Sequence, residues 1–275
     1  MAFENLRGVL RVSADPLSGF KLVIAAALTS RVKFKPFLLP LLRVFADKEN
    51  VIWANAKCAM SGKTLRYGLR IVEISSDLLS FYELCVHNCY RVIPKDAPDA
   101  IVDGGANTGL FTLAAKSLWP NVEVFSVEPL EGNLRFIESH LKKNKLKATL
   151  RSACLGPTNG TVVFYVREAN RGGLDSSDTF RSKIDVPMLR LSEIYALLRG
   201  KRVLVKLDIE GAEMEVVKDL LSQAPSRCKL VGELHHWKKH EATFESRLRA
   251  AGWNVSFFSR DEICVLFSAQ TPDWD

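Results

Sequence analysis

Residues 205–213 read VKLDIEGAE, an apolar run that ends in Asp208 and Glu210, turns at Gly211 and goes on as a helix carrying Glu213. Acidic groups at the carboxyl end of a strand stand where open α/β sheets bind ligands. Such groups take a proton, orient a hydroxyl or hold a hard cation. Lys206 alternates with Asp208 along the strand, so the two share a face and can form an ion pair. A second run, GELHH at 232–236, puts Glu233 and His235 on one face of an extended chain and His236 on the other. An imidazole with an unperturbed pKa of about 6.5 suits proton removal near neutrality, which makes His235 the candidate general base. Glu233 would then orient the ring or hold the acceptor. Asp208 is the alternative base, if desolvation raises its pKa. Asp208, Glu233 and His235 also form a possible hard-metal ligand set. Glu210 and Glu213 fit the first turn of the next helix, where carboxylates meet the positive end of the dipole.

A third run lies upstream. IVDGGANTGLFTL, at 101–113, takes an apolar strand through a glycine-rich turn into a helix. Gly104, Gly105 and Gly109 let the backbone approach a ligand closely. The pattern departs from the G-x-G-x-x-G of a dinucleotide site: Asn107 stands at a glycine position, and Asp103 at the strand end would repel a pyrophosphate. An acidic residue there suits a cationic cofactor. Glu128, in SVEP after the next apolar run, can accept the hydroxyls of a ribose. A ligand with a ribose, a positive charge and no phosphate fits these residues, which points to S-adenosylmethionine rather than NAD.

These motifs need strand ends to stand on, and the rest of the chain supplies them. From residue 100 strands alternate with helices: strands at 100–103, 122–127, 148–155, 203–208 and 229–234, helices at 108–118, 131–143, 212–221 and 240–251. Two final strands, 253–258 and 263–268, flank a hairpin-length turn, so one must run antiparallel. The alternation predicts an α/β fold with a mostly parallel, doubly wound sheet. Residues 156–187 interrupt it with one strand-like run at 161–166 and a polar stretch whose 172–177 part is a candidate cover over the acceptor. Residues 1–97 differ: apolar helices near 20–28 and 34–45, a strand pair at 51–56 and 63–71, and a helix at 76–90 capped by Ser76 or Asp77. They are expected to form an N-terminal extension and substrate-side cap, with the catalytic domain at 98–275.

The chain carries a net charge of +7, without a dense Lys/Arg run, so a solvated basic surface is expected rather than a nucleic-acid face. No apolar stretch reaches the ~20 residues of a membrane span, and the start lacks the basic and apolar order of a signal peptide. A cytoplasmic protein with reduced thiols is expected. Interfacial membrane contact is the minor alternative for the N-terminal helices. Cys85, His87 and Cys89 in CVHNC lack a second ligand pair at zinc-finger distance.

Taken together, DGGANTG, VEP, VKLDIEGAE and GELHH resemble the FkbM family of S-adenosylmethionine-dependent methyltransferases, over roughly residues 76–268. The K-x-D-I-E-G-x-E run is the specific part, since the glycine motif is common to many class I methyltransferases. The similarity extends to VPMLRLSEI at 186–194, a Leu-rich helix in the family. The resemblance implies a seven-stranded Rossmann-like sheet, mostly parallel with one antiparallel strand. It also implies methyl transfer, usually to a hydroxyl oxygen. Asp103, Gly105 and Asn107, with Gly104, Ala106 and Gly109 of the same loop, would surround the methionine part of the cofactor. Glu128, followed by Pro129, would hold the ribose. Ser152, Ala153 and Cys154 would border the adenine, and Asp208 would close the cofactor side. The acceptor is expected to be a small molecule or glycan, with no nucleic acid. N-methylation is the alternative, weakened because the Asn/Asp-Pro-Pro-aromatic signature is missing. A cofactor-binding module without catalysis, associated with a membrane through the N-terminal helices, is the reading from a different class.

Overall fold

The computed structural model describes residues 11–29, 35–167, 172–174 and 180–274. The 175–177 part of the expected acceptor cover, and residue 34 of the expected second helix, lie outside these. The chain divides into two compact units. One comprises residues 1–94, 113–120 and 137–147, and the other 95–112, 121–136 and 148–275.

The first unit begins with α1 (Pro16–Thr29) and α2 (Lys35–Arg43). Asp15 caps α1 by accepting the Ser18 N–H at 2.8 Å, and Pro16 is suited to the first helical position, where no N–H is needed. Strands β1 (Val51–Lys57) and β2 (Thr64–Arg70) form an antiparallel hairpin. Helix α3 spans Ile74–Phe81 and widens into a π turn at Tyr82–Val86. It therefore begins before the expected cap and stops short of residue 90. Asp77 does not cap it. Its buried carboxylate accepts the Arg70 backbone N–H at 2.8 Å and the Arg70 Nε–H at 2.9 Å, so a residue that reads as a helix signal is an ion-pair partner instead.

The second unit holds β3 (Ala100–Gly104), α4 (Leu110–Leu118), β4 (Glu123–Glu128), α5 (Glu131–Lys143) and β5 (Thr149–Ser152), although the later turns of α4 and α5 belong to the first unit. A second sheet follows, made of β6 (Cys154–Gly156), β7 (Gly160–Val166), β8 (Gly172–Gly173) and β9 (Ser182–Arg190). The chain then returns through α6 (Leu191–Leu197), β10 (Val203–Leu207), α7 (Glu213–Leu221), β11 (Cys228–His235), α8 (Trp237–Ala250), β12 (Asn254–Arg260) and β13 (Cys264–Gln270).

The main sheet has the order β12-β13-β11-β10-β3-β4-β5. Only β13 is antiparallel to its neighbours. Every residue of β3 and β10 is buried, as central strands covered on both faces must be. That explains their unbroken apolar runs and leaves polar chemistry only at their ends. Gly232 in β11 fits because a Cβ there would lie 1.9 Å from the Leu207 carbonyl oxygen.

Two expectations fail here. The run 148–155 is not one strand: β5 stays on β4, while β6 leaves for the second sheet and pairs with β9. VPMLR is not helical either. It belongs to β9, which pairs antiparallel with β7, and the helix starts only at Leu191. Pro187 has no N–H to give a helix and would clash within one, whereas Val186 gains a buried place beside Phe164 and Leu130.

Candidate active site

Two clusters of side chains meet where the strands of the main sheet end. The first is the glycine loop after β3. Gly105 has φ +71 and packs so closely on the strand beside it that a Cβ would fall 1.9 Å from the Asp208 carbonyl oxygen. Its N–H and that of Ala106 both bond the Val127 carbonyl at 3.0 Å. Asn107, also left-handed, gives its N–H to Glu128 Oε2 at 2.9 Å. Glu128 Oε1 accepts the Leu130 N–H and Asn133 Nδ2, each at 3.0 Å. Burial pushes the Glu128 carboxyl up to about 7 against the pull of these donors and of Lys206.

A cleft opens over this loop. Of the residues expected around the cofactor, Gly105, Asn107, Glu128, Pro129, Ala153, Cys154 and Asp208 line it. Gly104, Ala106, Gly109 and Ser152 do not. Nor does Asp103, which is fully buried below the loop. Its Oδ2 accepts the Thr112 hydroxyl at 2.6 Å, and its Oδ1 lies 3.3 Å from the Lys206 ammonium. Asp103 therefore acts on the cleft through Lys206. That ammonium donates to the carbonyls of Gly104 (3.2 Å) and Gly105 (2.6 Å) and stands 3.8 Å from Asp208 Oδ2. Burial opposes the charge, but Asp103 and Asp208 outweigh it and raise the Lys206 pKa.

The second cluster gathers at the ends of β10 and β11. One ligand atom each from Asp208, Glu233 and His235 lies within 4.8 Å of the others. His235 Nε2 faces Glu210 Oε2 at 3.6 Å and Glu233 Oε2 at 3.9 Å. His235 Nδ1 bonds Glu213 Oε1 at 2.9 Å, and that same oxygen accepts the N–H of Ile209 and of Gly211. Burial would lower the His235 pKa. The hydrogen bond and charge of Glu213, with the charges of Asp208 and Glu210, reverse this and lift it to about 10. The raised pKa favours the imidazolium form, which speaks against the ring as a proton acceptor.

Glu210 and Glu213 thus do more than open a helix. Glu213, buried in the first turn of α7, anchors His235 and the turn before it, while Glu210 adopts a left-handed conformation (φ 56) and joins the cluster. His236, also left-handed (φ 51), is exposed on a second, larger cleft that shares Leu174 and Glu210 with the first.

Three cleft residues come from the interval between β6 and β9: Phe164 from the strand-like run at 161–166, and Gly172 and Leu174 from the stretch expected over the acceptor, which here lines the cleft of the glycine loop. The strand-like run TVVFYV is a visible signal for β7, but nothing local says that Phe164 faces a cleft. Glu213 stands in the VKLDIEGAE run, but nothing local in the sequence says that it bonds His235 and the turn at Ile209 and Gly211.

A sheet with a glycine loop after its first strand, an acidic second strand end and one antiparallel strand next to the edge defines the class I methyltransferase fold. The methyltransferase FkbM domain pattern matches residues 103–255, more than half of the chain, and the chain belongs to that family. Family membership makes it a methyltransferase and implies S-adenosylmethionine as its cofactor. It is similar to Methyltransferase 1 of Beauveria bassiana, 26% identical over 216 residues, covering 70% of this chain and 82% of that protein. It is also similar to Methyltransferase sdnD of Sordaria araneosa, 27% identical over 191 residues, covering 53% of this chain and 74% of the relative. Among solved structures, an rRNA methylase from Streptococcus thermophilus aligns with a TM-score of 0.42 and 10% identity, over 68% of this chain and 95% of that one.

Proposed function

We propose that the protein is an O-methyltransferase that moves the methyl group of S-adenosylmethionine to a hydroxyl of a small molecule or glycan. One observation carries the reading: Asp208 stands in the wall of the cofactor cleft and in the Asp208–Glu233–His235 cluster at once. An acceptor oxygen between the two would have a carboxylate beside it to take its proton and an imidazolium to share its developing charge. The cofactor, when bound, supplies an electrophilic methyl on a sulfonium and leaves as a neutral thioether. Asp208 takes the proton in this scheme and replaces His235 as the base. His235 donates Nε2–H toward the acceptor oxygen, Glu213 fixes the ring, and Glu233 holds the acceptor. Lys206 positions Asp208 and the glycine loop together. The residues around the cleft fit the cofactor: it carries no phosphate, and Glu128 keeps one lone pair of Oε2 for a ribose hydroxyl after its three protein donors are counted.

A divalent cation is a second reading, favoured by the His235 geometry. A ring that gives Nδ1–H to a buried carboxylate and aims Nε2 at two or three others has the arrangement of a metal-ligating histidine. Asp208, Glu233 and His235 would hold the ion, which would lower the pKa of a bound hydroxyl. Residues 1–97, all of which precede the family segment, are assigned to acceptor selection, because the shared sheet does not set the substrate.

The test is methyl transfer from labelled S-adenosylmethionine to a panel of glycans, polyketide alcohols and lipid head groups, with magnesium or with a chelator. Methyl ethers formed by the parent and lost in Asp208→Asn support the proposal. Methylamines as the only products overturn it. Turnover that survives the chelator unchanged removes the metal reading alone.

A further inference from the structure

The two N-terminal helices leave large apolar side chains partly exposed. Leu17 (53% exposed) and Phe20 (48%) are one turn apart on α1, and Leu41 (39%) and Val44 (76%) are one turn apart at the end of α2. The Phe20 and Phe45 rings meet edge-on with centroids 6.0 Å apart, which brings the residues after α2 against α1. Scattered single apolar residues on a surface are ordinary, but four large ones gathered on two touching helices are not.

The sequence of this stretch is basic: residues 1–45 contain seven Lys and Arg side chains against Glu4 and Asp15. Asp15 is occupied by the Ser18 N–H and hydroxyl and by Asn55. Arg43 is exposed between Leu41 and Val44, and Arg11 is exposed on the same unit. Apolar side chains that enter a hydrocarbon boundary, with arginines beside them at phosphate level, are the elements of an interfacial anchor. No described helix is long and apolar enough to cross a membrane, so the contact would lie in the plane of the surface. A second copy of the chain fits less well, because each face would present the same positive charge to the other.

We propose that the α1–α2 face docks the protein on an anionic lipid surface. The experiment is co-sedimentation of the full chain with phosphatidylcholine vesicles, with and without phosphatidylglycerol, read together with its mass in solution. Binding should require the anionic lipid and weaken as salt rises. Phe20→Ser/Val44→Ser should lower partitioning roughly tenfold, and Arg43→Ala roughly fivefold; because Phe20 packs on Phe45, the single Val44→Ser variant, whose side chain is exposed, should also weaken binding with an unchanged melting temperature. Equal binding to both vesicle types, no binding to either, or a dimer that dissociates in the Phe20→Ser/Val44→Ser variant would each overturn the proposal.

Discussion

The cofactor half of the site and the acceptor half stand at the ends of neighbouring strands in one sheet, yet they are made of different material. The cofactor half is mostly backbone: a left-handed glycine, two N–H groups given to Val127, and a buried carboxylate with three donors already in place. The acceptor half is a crowd of charges, with Glu210 and Glu233 both within 4 Å of one imidazole nitrogen. A preformed polar cradle binds with little reorganisation. Concentrated carboxylates are costly to leave without a proton, a cation or a ligand among them. On the proposed roles, binding and chemistry would be separable, with Gly105 and Lys206 where the two clusters join.

The largest effect should come from breaking that joint. Gly105→Val puts a branched side chain where a Cβ alone meets the Asp208 carbonyl at 1.9 Å, in a conformation hostile to β-branched residues. We expect destabilisation of roughly 3 kcal/mol or more, and loss of both cofactor binding and turnover. Thermal melting and calorimetry with S-adenosylmethionine would show it; near-parental values for both would mean that the loop and Asp208 are not packed as described.

Next comes a substitution that should separate the halves. Asp208→Asn keeps the shape of the cleft wall but removes the proposed proton acceptor, so turnover should fall about 10²–10⁴-fold. Cofactor affinity should stay within about threefold. If affinity collapses with turnover, Asp208 belongs to the cofactor half. A parent pH–rate profile rising near 6.5 would restore His235 as the base, whereas loss of activity as pH approaches 10 fits an imidazolium donor.

How the halves read in the sequence follows the same division. Backbone-built features announce themselves through glycines at fixed spacing, so DGGANTG and the strand ends at Glu128, Asp208 and His235 were legible, and with them the seven-stranded sheet. Roles set by who faces whom were not. Asp103 looks like a cofactor ligand but is buried under Lys206, and Glu213 looks like a helix-dipole residue but anchors His235. The second sheet was hidden for another reason. Its pairing of β6 with β9 joins residues more than thirty positions apart, and no local period encodes such a pairing.

A smaller effect should come from Glu213→Gln. In the folded parent the His235 pKa is raised from 6.5 to about 10, so the pair stabilises the fold fully below pH 6.5 and loses that contribution as pH rises toward 10. The variant keeps a hydrogen-bonding side chain but not the charge. It should melt lower than the parent at pH 6, with the gap narrowing by pH 10. A gap constant across that range would show that Glu213 serves the turn at Ile209 and Gly211 rather than the ring.

The smallest effect belongs to the cofactor half, and there its sign is informative. Glu128 titrates near 7 in the folded protein against 4.5 unfolded, so folding disfavours its charge, and the cost grows as pH rises from 4.5 through 7. Glu128→Gln removes that charge but turns an amide NH₂ toward donors, which sacrifices one hydrogen bond of about 1 kcal/mol. The two changes oppose each other. The variant should be slightly less stable than the parent at pH 5 and close the gap, or reverse it, at pH 8. Its cofactor affinity should fall roughly tenfold at pH 8, where the parent carboxylate is ionised and can accept a ribose hydroxyl more strongly. Affinity that is unchanged at pH 8, with the stability crossover intact, would assign Glu128 to the loop alone and leave the ribose to the backbone around it.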